Sequence, residues 1–135
     1  MTRRRSTPSL IKLTIAVTTL LILAAGFAAN ANSQTGRVVE SETHRFTELA
    51  DGVWHGVGTG RVYVMSNIMV LVGEFDTLVV DSHVTPAAAR SLLDSLSVIT
   101  DKPVRYLVNS HYHFDHAHGN QAFPREVEII GHRFT

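Results

Sequence analysis

The 135-residue sequence contains no cysteine, which excludes a disulfide framework, a thiolate metal site and a cysteine nucleophile. It also lacks net charge, with 12 basic residues set against 12 acidic ones. That balance hides an asymmetry, because Arg3, Arg4, Arg5 and Lys12 lie in the first 31 residues, where there is no acid. Residues 32–135 keep 8 basic against 12 acidic side chains, a formal charge of −4. Such a surface argues against nucleic acid, and no nucleic-acid partner is expected. Polar low-complexity disorder is excluded in turn, since 44% of the residues are hydrophobic. What the chain does have is histidine: 8 in all, four of them between positions 111 and 118. Function is to be sought there.

The first segment reads as an address and not as part of the fold. Arg3, Arg4 and Arg5 give a cationic start, Leu13–Ala29 is an uncharged apolar run, and Ala29-Asn30-Ala31 ends it with small residues suited to a peptidase. Residues 1–31 are therefore expected to be a signal peptide, and cleavage after Ala31 would leave 104 residues. The rival reading is a retained membrane anchor, because the 17 uncharged residues fall just short of the roughly 20 that span a bilayer. Either way the folded part is expected outside the cytoplasm, periplasmic or extracellular, with membrane contact only through an uncleaved signal.

Residues 32–45 are polar and read as a linker or a ragged first edge, with the folded domain expected over 46–135. Asp51-Gly52 supplies a turn before a short strand at Val53-Trp54-His55. Gly56, Gly58 and Gly60 read as a hairpin loop leading to a strand at Arg61–Val64; no helix follows these glycines, so they are not a phosphate cradle. Asn67–Val72 and Thr77–Val80 are apolar runs joined by a turn at Gly73–Asp76, a hairpin whose continuous apolar character expects burial on both faces. Thr85-Pro86 is a helix start, Ala89, Leu92, Leu93, Leu96 and Ile99 recur at helical spacing, and Pro103 marks the end. Strand, helix and a further strand at Val104–Val108 make a βαβ unit, expected to be parallel. A short helical stretch after Gly119-Asn120 and a strand at Val127–Ile130 complete the α/β pattern.

The chemistry follows the Val104–Val108 strand, in Asn109-Ser110-His111-Tyr112-His113-Phe114-Asp115-His116-Ala117-His118-Gly119-Asn120. Side chains two apart in an extended segment point the same way, so His111 and His113 can present imidazoles to one metal ion. A turn at Asp115 and His116 would offer a second ion a carboxylate oxygen and an imidazole nitrogen. Nitrogen and oxygen donors without sulfur suit zinc best, with iron and manganese as alternatives. A loose metal-scavenging tract is the bland reading. Fixed spacing, an included carboxylate and a preceding buried strand all stand against it.

At these residues the sequence resembles the metallo-β-lactamase-fold hydrolases, whose His-x-His-x-Asp-His signature is matched by His111, His113, Asp115 and His116. The resemblance runs from about Phe46 to His132 and takes in Asp51-Gly52-Val53-Trp54, Ser66-Asn67 before a buried strand, and Val79-Val80-Asp81 before the helix. It implies a first metal site at His111 and His113, a second at Asp115 and His116, two zinc ions when complete, and Asp115 as the catalytic residue that orients the attacking hydroxide. Asp81 would support the site as a hydrogen-bond acceptor. His118 stands where the family commonly has glycine and is read as a supporting residue and not a ligand.

The family completes its metal sites with a histidine, a bridging aspartate and a last histidine well downstream, and His132 lies too close behind a strand to be assigned to any of them. The resemblance therefore implies the N-terminal portion of an αββα sandwich, mostly its first sheet with one full helix, and one sheet face without its partner. The activity it implies is metal-assisted hydrolysis of a small-molecule substrate carrying an ester, thioester, lactone, β-lactam, phosphoester or sulfate-ester bond. The alternative is a truncated metal-binding module without turnover.

Overall fold

The computed structural model describes residues 36–134, so the signal segment expected at residues 1–31 lies outside the described residues. Seven strands form one sheet in which spatial order follows chain order. They are β1 (Val38–Glu40), β2 (His44–Ala50), β3 (Val53–Gly58), β4 (Ile68–Val72), β5 (Thr77–Val80), β6 (Val104–Val108) and β7 (Glu128–Ile130). Helix α1 (Pro86–Ser95), extended by a 3-10 turn at Leu96–Val98, connects β5 to β6. The four-residue helix α2 (Phe114–Ala117) and a 3-10 turn at Asn120–Ala122 connect β6 to β7. Strands β1 to β5 pair antiparallel, whereas β5 with β6 and β6 with β7 pair parallel. The βαβ unit expected from the sequence is present, with Val79 opposite Leu107 and Val80 opposite Val108.

Local chemistry sets these boundaries. The Thr85 side chain accepts a bond from the Ala88 backbone N–H at 3.1 Å and Pro86 opens α1, so an orphan amide of the first turn is satisfied where proline needs no donor. The buried stripe of α1 is Ala88, Ala89, Leu92 and Ser95. With Leu96, Phe123 and Val127 it covers Phe46, Trp54, Ile68, Val70, Val79 and Leu107 of the sheet. Gly52, at φ +69°, turns β2 into β3 at a point where a Cβ would stand 2.6 Å from the Val72 carbonyl oxygen.

The opposite face carries Val53 and Val57 of β3, Met69 and Leu71 of β4, Leu78 and Val80 of β5, and Tyr106 and Val108 of β6, as the strand registers require. None of these is fully buried, and no element among the described residues lies over them. Alternation of buried and half-buried positions in β4 and β5 is the signature of a sheet covered on one side. The burial on both faces expected for these two runs is thus not found among the described residues.

Three expectations are corrected. Gly56 and Gly58 are not loop residues but the end of β3, because each lies against a neighbour: a Cβ on Gly56 would be 2.8 Å from the Ile68 side chain, and one on Gly58 2.4 Å from Val64. Glycine here answers crowding within a strand. Arg61–Val64 is not a strand, although exposed and half-buried positions alternate through it; β3 already pairs with β2 and β4, leaving no ladder for it to join. The stretch read through residue 45 as a linker or a ragged first edge is an edge and not a linker, since β1 pairs Val38 with Thr47 at the end of the sheet and His44 is fully buried, so the folded part begins before residue 46.

Candidate metal centre

Parallel pairing of β5 and β6 brings their carboxyl ends side by side, and the candidate site is built there, in the crevice where open α/β sheets hold ligands. Asp81 leaves β5 with φ +69°, and His83 follows at φ +67°. This left-handed region favours glycine, and asparagine, aspartate and histidine are the other residues that enter it most readily. The reversal has a consequence. Asp81 turns its carboxylate across to the segment after β6, while His83 is directed into the core, where it is fully buried.

The Asp81 carboxylate accepts three bonds: from the Ser110 backbone N–H at 2.8 Å, from the Ser110 hydroxyl at 2.8 Å, and from His116 Nδ1 at 2.7 Å. The Ser110 hydroxyl also lies 2.9 Å from His111 Nδ1. Both rings thus have Nδ1 engaged, which fixes their orientation and leaves Nε2 available. His111 Nε2 lies 3.0 Å from His113 Nδ1, and His116 Nε2 lies 3.2 Å from Asp115 Oδ2. The rings of His111 and His116 are 4.0 Å apart between centroids, so the two pairs adjoin. The four residues that match the signature therefore come together as two pairs, His111 with His113 and Asp115 with His116.

Among the described residues no three His, Asp or Glu side chains are arranged around a common metal position. The donor chemistry fits a divalent cation, two donors to a pair. His118 is not brought in: its exposed ring packs against Phe114, 5.5 Å away between centroids. His132 lies beyond β7 and is exposed, its Nδ1 accepting from the Phe134 N–H at 3.4 Å.

The backbone under the donors is braced from three directions. The His116 carbonyl accepts from the Ser82 N–H at 2.9 Å and Asn109 Nδ2 at 3.3 Å, while the Ser82 hydroxyl donates to Asn120 Oδ1 at 2.7 Å. Asn109 and Asn120 exchange amide bonds at 3.1 and 2.7 Å. The Asp115 carbonyl accepts from Ser66 Oγ at 2.6 Å. Gly119 lets this turn close on the β5 end, since a Cβ there would meet the Ser82 oxygen at 1.8 Å.

Sequence reasoning passed over Ser66, Ser82, Ser110 and Asn120 as site residues, and over the buried pair His44 and His83. These two face each other with Nε2 atoms 3.0 Å apart. Burial lowers the pKa of His44, while burial and then the adjoining His44 ring push His83 down to about 4. A signal for His44 was present: it stands two residues before Phe46 in a strand, hence on the same face as a core phenylalanine.

A family model described as the metallo-beta-lactamase superfamily matches residues 61–133. No curated protein matches the chain. Solved structures do, among them a metallo beta lactamase from Erythrobacter litoralis crystallised with beta mercaptoethanol in its active site. Identity to it is 27% and the TM-score 0.53, over 64% of this chain and 40% of that one. The chain therefore spans about two fifths of the length of that relative, and the mixed seven-stranded sheet with two helices of its described residues is part of that fold.

Proposed function

Because the chain belongs to the metallo-beta-lactamase superfamily, whose members usually bind metals, we propose that it supplies the first half of a binuclear zinc hydrolase site. One observation carries the reading: two donor pairs, His111 with His113 and Asp115 with His116, adjoin at the ends of β5 and β6 with Ser110 and Asp81 holding Nδ1 of His111 and His116. The first pair would hold one zinc ion and the second the other. When bound, such ions lower the pKa of water toward neutrality and polarise the scissile bond of the substrate.

The residues of this chain do the rest. Ser110 and Asp81 hold the His111 and His116 rings in one orientation. Asp115, half-buried on a braced turn, would orient the attacking water, take its proton and pass it to the leaving group. The substrate class is a small molecule with an ester, thioester, lactone or β-lactam bond. Export to the periplasm or beyond is part of the same reading, supported by the cationic start, apolar run and small-residue end of residues 1–31. The pairing of donors in twos favours one other reading, a metal-binding module without turnover.

Zinc titration of the chain by calorimetry, followed by assays on chromogenic esters, lactones and β-lactams, separates the two. The hydrolase reading expects stoichiometric zinc and zinc-dependent turnover that falls at least a hundredfold in Asp115→Asn. Binding without turnover supports the module. Absence of zinc binding, with wild type and His111→Ala alike, overturns both.

A further inference from the structure

We propose that Ser66, His83 and His44 form a hydrogen-bond chain, polarised from its Ser66 end, that positions the backbone beneath Asp115. Its functional half rests on the metal-site reading above; its hydrogen-bond half does not. The need for such a device follows from the size of α2. A helix of four residues leaves its last carbonyls without intrahelical donors, and so short a helix does not hold itself. In α2 the Phe114 carbonyl is met from within the turn, by the His118 N–H at 2.9 Å. The next two, Asp115 and His116, accept from residues remote in sequence. Ser82 and Asn109 hold His116, and Ser66, 49 residues before Asp115, holds Asp115.

Donor and acceptor roles along the chain are then determined. A carbonyl only accepts, so the single Ser66 proton goes to the Asp115 oxygen, 2.6 Å away. Ser66 Oγ must in turn accept from His83 Nδ1, 3.3 Å away. A neutral His83 protonated at Nδ1 has a bare Nε2, which accepts from His44 Nε2–H at 3.0 Å. His44 Nδ1 is then bare and takes the Thr43 hydroxyl proton at 2.9 Å. At the far end Ser95 Oγ spends its proton on the Ser91 carbonyl at 2.7 Å, and Thr43 Oγ1 lies 2.9 Å from both His44 Nδ1 and Ser95 Oγ, so the direction of the chain is set from the Ser66 end. Every member is satisfied, and no buried side-chain polar atom among the described residues lacks a partner. His83 and His44 are thus positioning residues acting through Ser66.

Long-range proton–nitrogen correlation spectra of the ¹⁵N-labelled chain, without metal, test the arrangement directly. The expected result is His83 as the Nδ1–H tautomer and His44 as the Nε2–H tautomer. Opposite tautomers, or the averaged signals of free histidine, overturn the proposal. Positioning is read on the same metal-free protein: Ser66→Ala should raise amide exchange at His118, whose N–H closes α2 on the Phe114 carbonyl, by at least about tenfold, and Ser66→Thr should restore protection. Equal exchange in wild type, Ser66→Ala and Ser66→Thr overturns the positioning role. Competition with a chromophoric chelator should then show zinc affinity about tenfold weaker in Ser66→Ala and recovered in Ser66→Thr; unchanged affinity in Ser66→Ala counts against the link to the site. Should wild type bind no zinc, the metal reading fails, and tautomers and exchange alone decide the chain.

Discussion

Acid should unfold this protein through His83. The ring is fully buried, and its pKa is pushed down to about 4, first by burial and then by the neighbouring His44. In the unfolded chain the same group titrates near 6.5. Between those values the native state holds fewer protons than the unfolded one, so stability falls as pH falls. The contribution is whole above pH 6.5 and lost through the window down to 4. A difference of that size amounts to about 3 kcal/mol once pH is below 4, and about 2 kcal/mol at pH 5. Geometry gives the reason: a second proton on His83 would set N–H against N–H across the 3.0 Å contact with His44.

Urea unfolding at pH 7 and pH 5 measures the effect, and His83→Asn isolates it, since asparagine tolerates the left-handed backbone of this position. Wild type should lose about 2 kcal/mol more than the variant between the two pH values. Equal losses would refute the assignment. A direct titration of the His83 ring by NMR gives an independent answer, and a midpoint near 6.5 would be just as damaging.

Three further outcomes follow from contacts elsewhere. Gly119→Ala should destabilise by about 2–3 kcal/mol in urea unfolding, because its Cβ would collide with the Ser82 oxygen at 1.8 Å and with Ala89 Cβ at 2.7 Å; a cost under about 0.5 kcal/mol would mean that the turn does not pack on β5 as described. Thr85→Ala removes the cap of α1 and should cost about 1 kcal/mol in thermal or urea unfolding, with Thr85→Ser close to wild type; indistinguishable alanine and serine variants would deny the cap its role. Asp81→Asn turns one of three acceptor contacts into a mismatched donor, and should cost about 1–3 kcal/mol and weaken zinc binding 10- to 100-fold; unchanged calorimetric affinity would dissociate Asp81 from the metal centre.

Much of the fold was legible in the sequence because its signals are local. Thr85-Pro86 and the Leu92, Leu93, Leu96 spacing mark α1, and the short apolar runs around Gly73–Asp76 mark the β4–β5 hairpin. What misled was also local. Glycine at 56 and 58 imitates a loop, yet it is chosen because Ile68 and Val64 leave no room for a side chain. Arg61–Val64 has the alternation of a strand without a partner to bond, and pairing is a property of the sheet, not of the segment. The polar composition of residues 32–45 concealed His44, whose burial depends on a second histidine 39 residues away.

The same division runs through the site. The candidate donors could be listed from spacing, since His111 with His113 and Asp115 with His116 are neighbours in the chain. Their supports could not. Asp81 is 35 residues from the His116 ring it holds, and Ser66 is 49 from the Asp115 carbonyl it holds. Only the parallel alignment of β5 with β6, and β4 lying antiparallel beside β5, make those residues adjacent. Each support also has an innocuous sequence appearance: a serine before a strand, an aspartate at a strand end, a histidine in a turn. A helix of four residues has too few bonds of its own to place two donors, so the geometry of Asp115 and His116 is set by these remote groups. Loss of a support should therefore act on metal affinity and on the motion of α2 while the four signature residues stay in place.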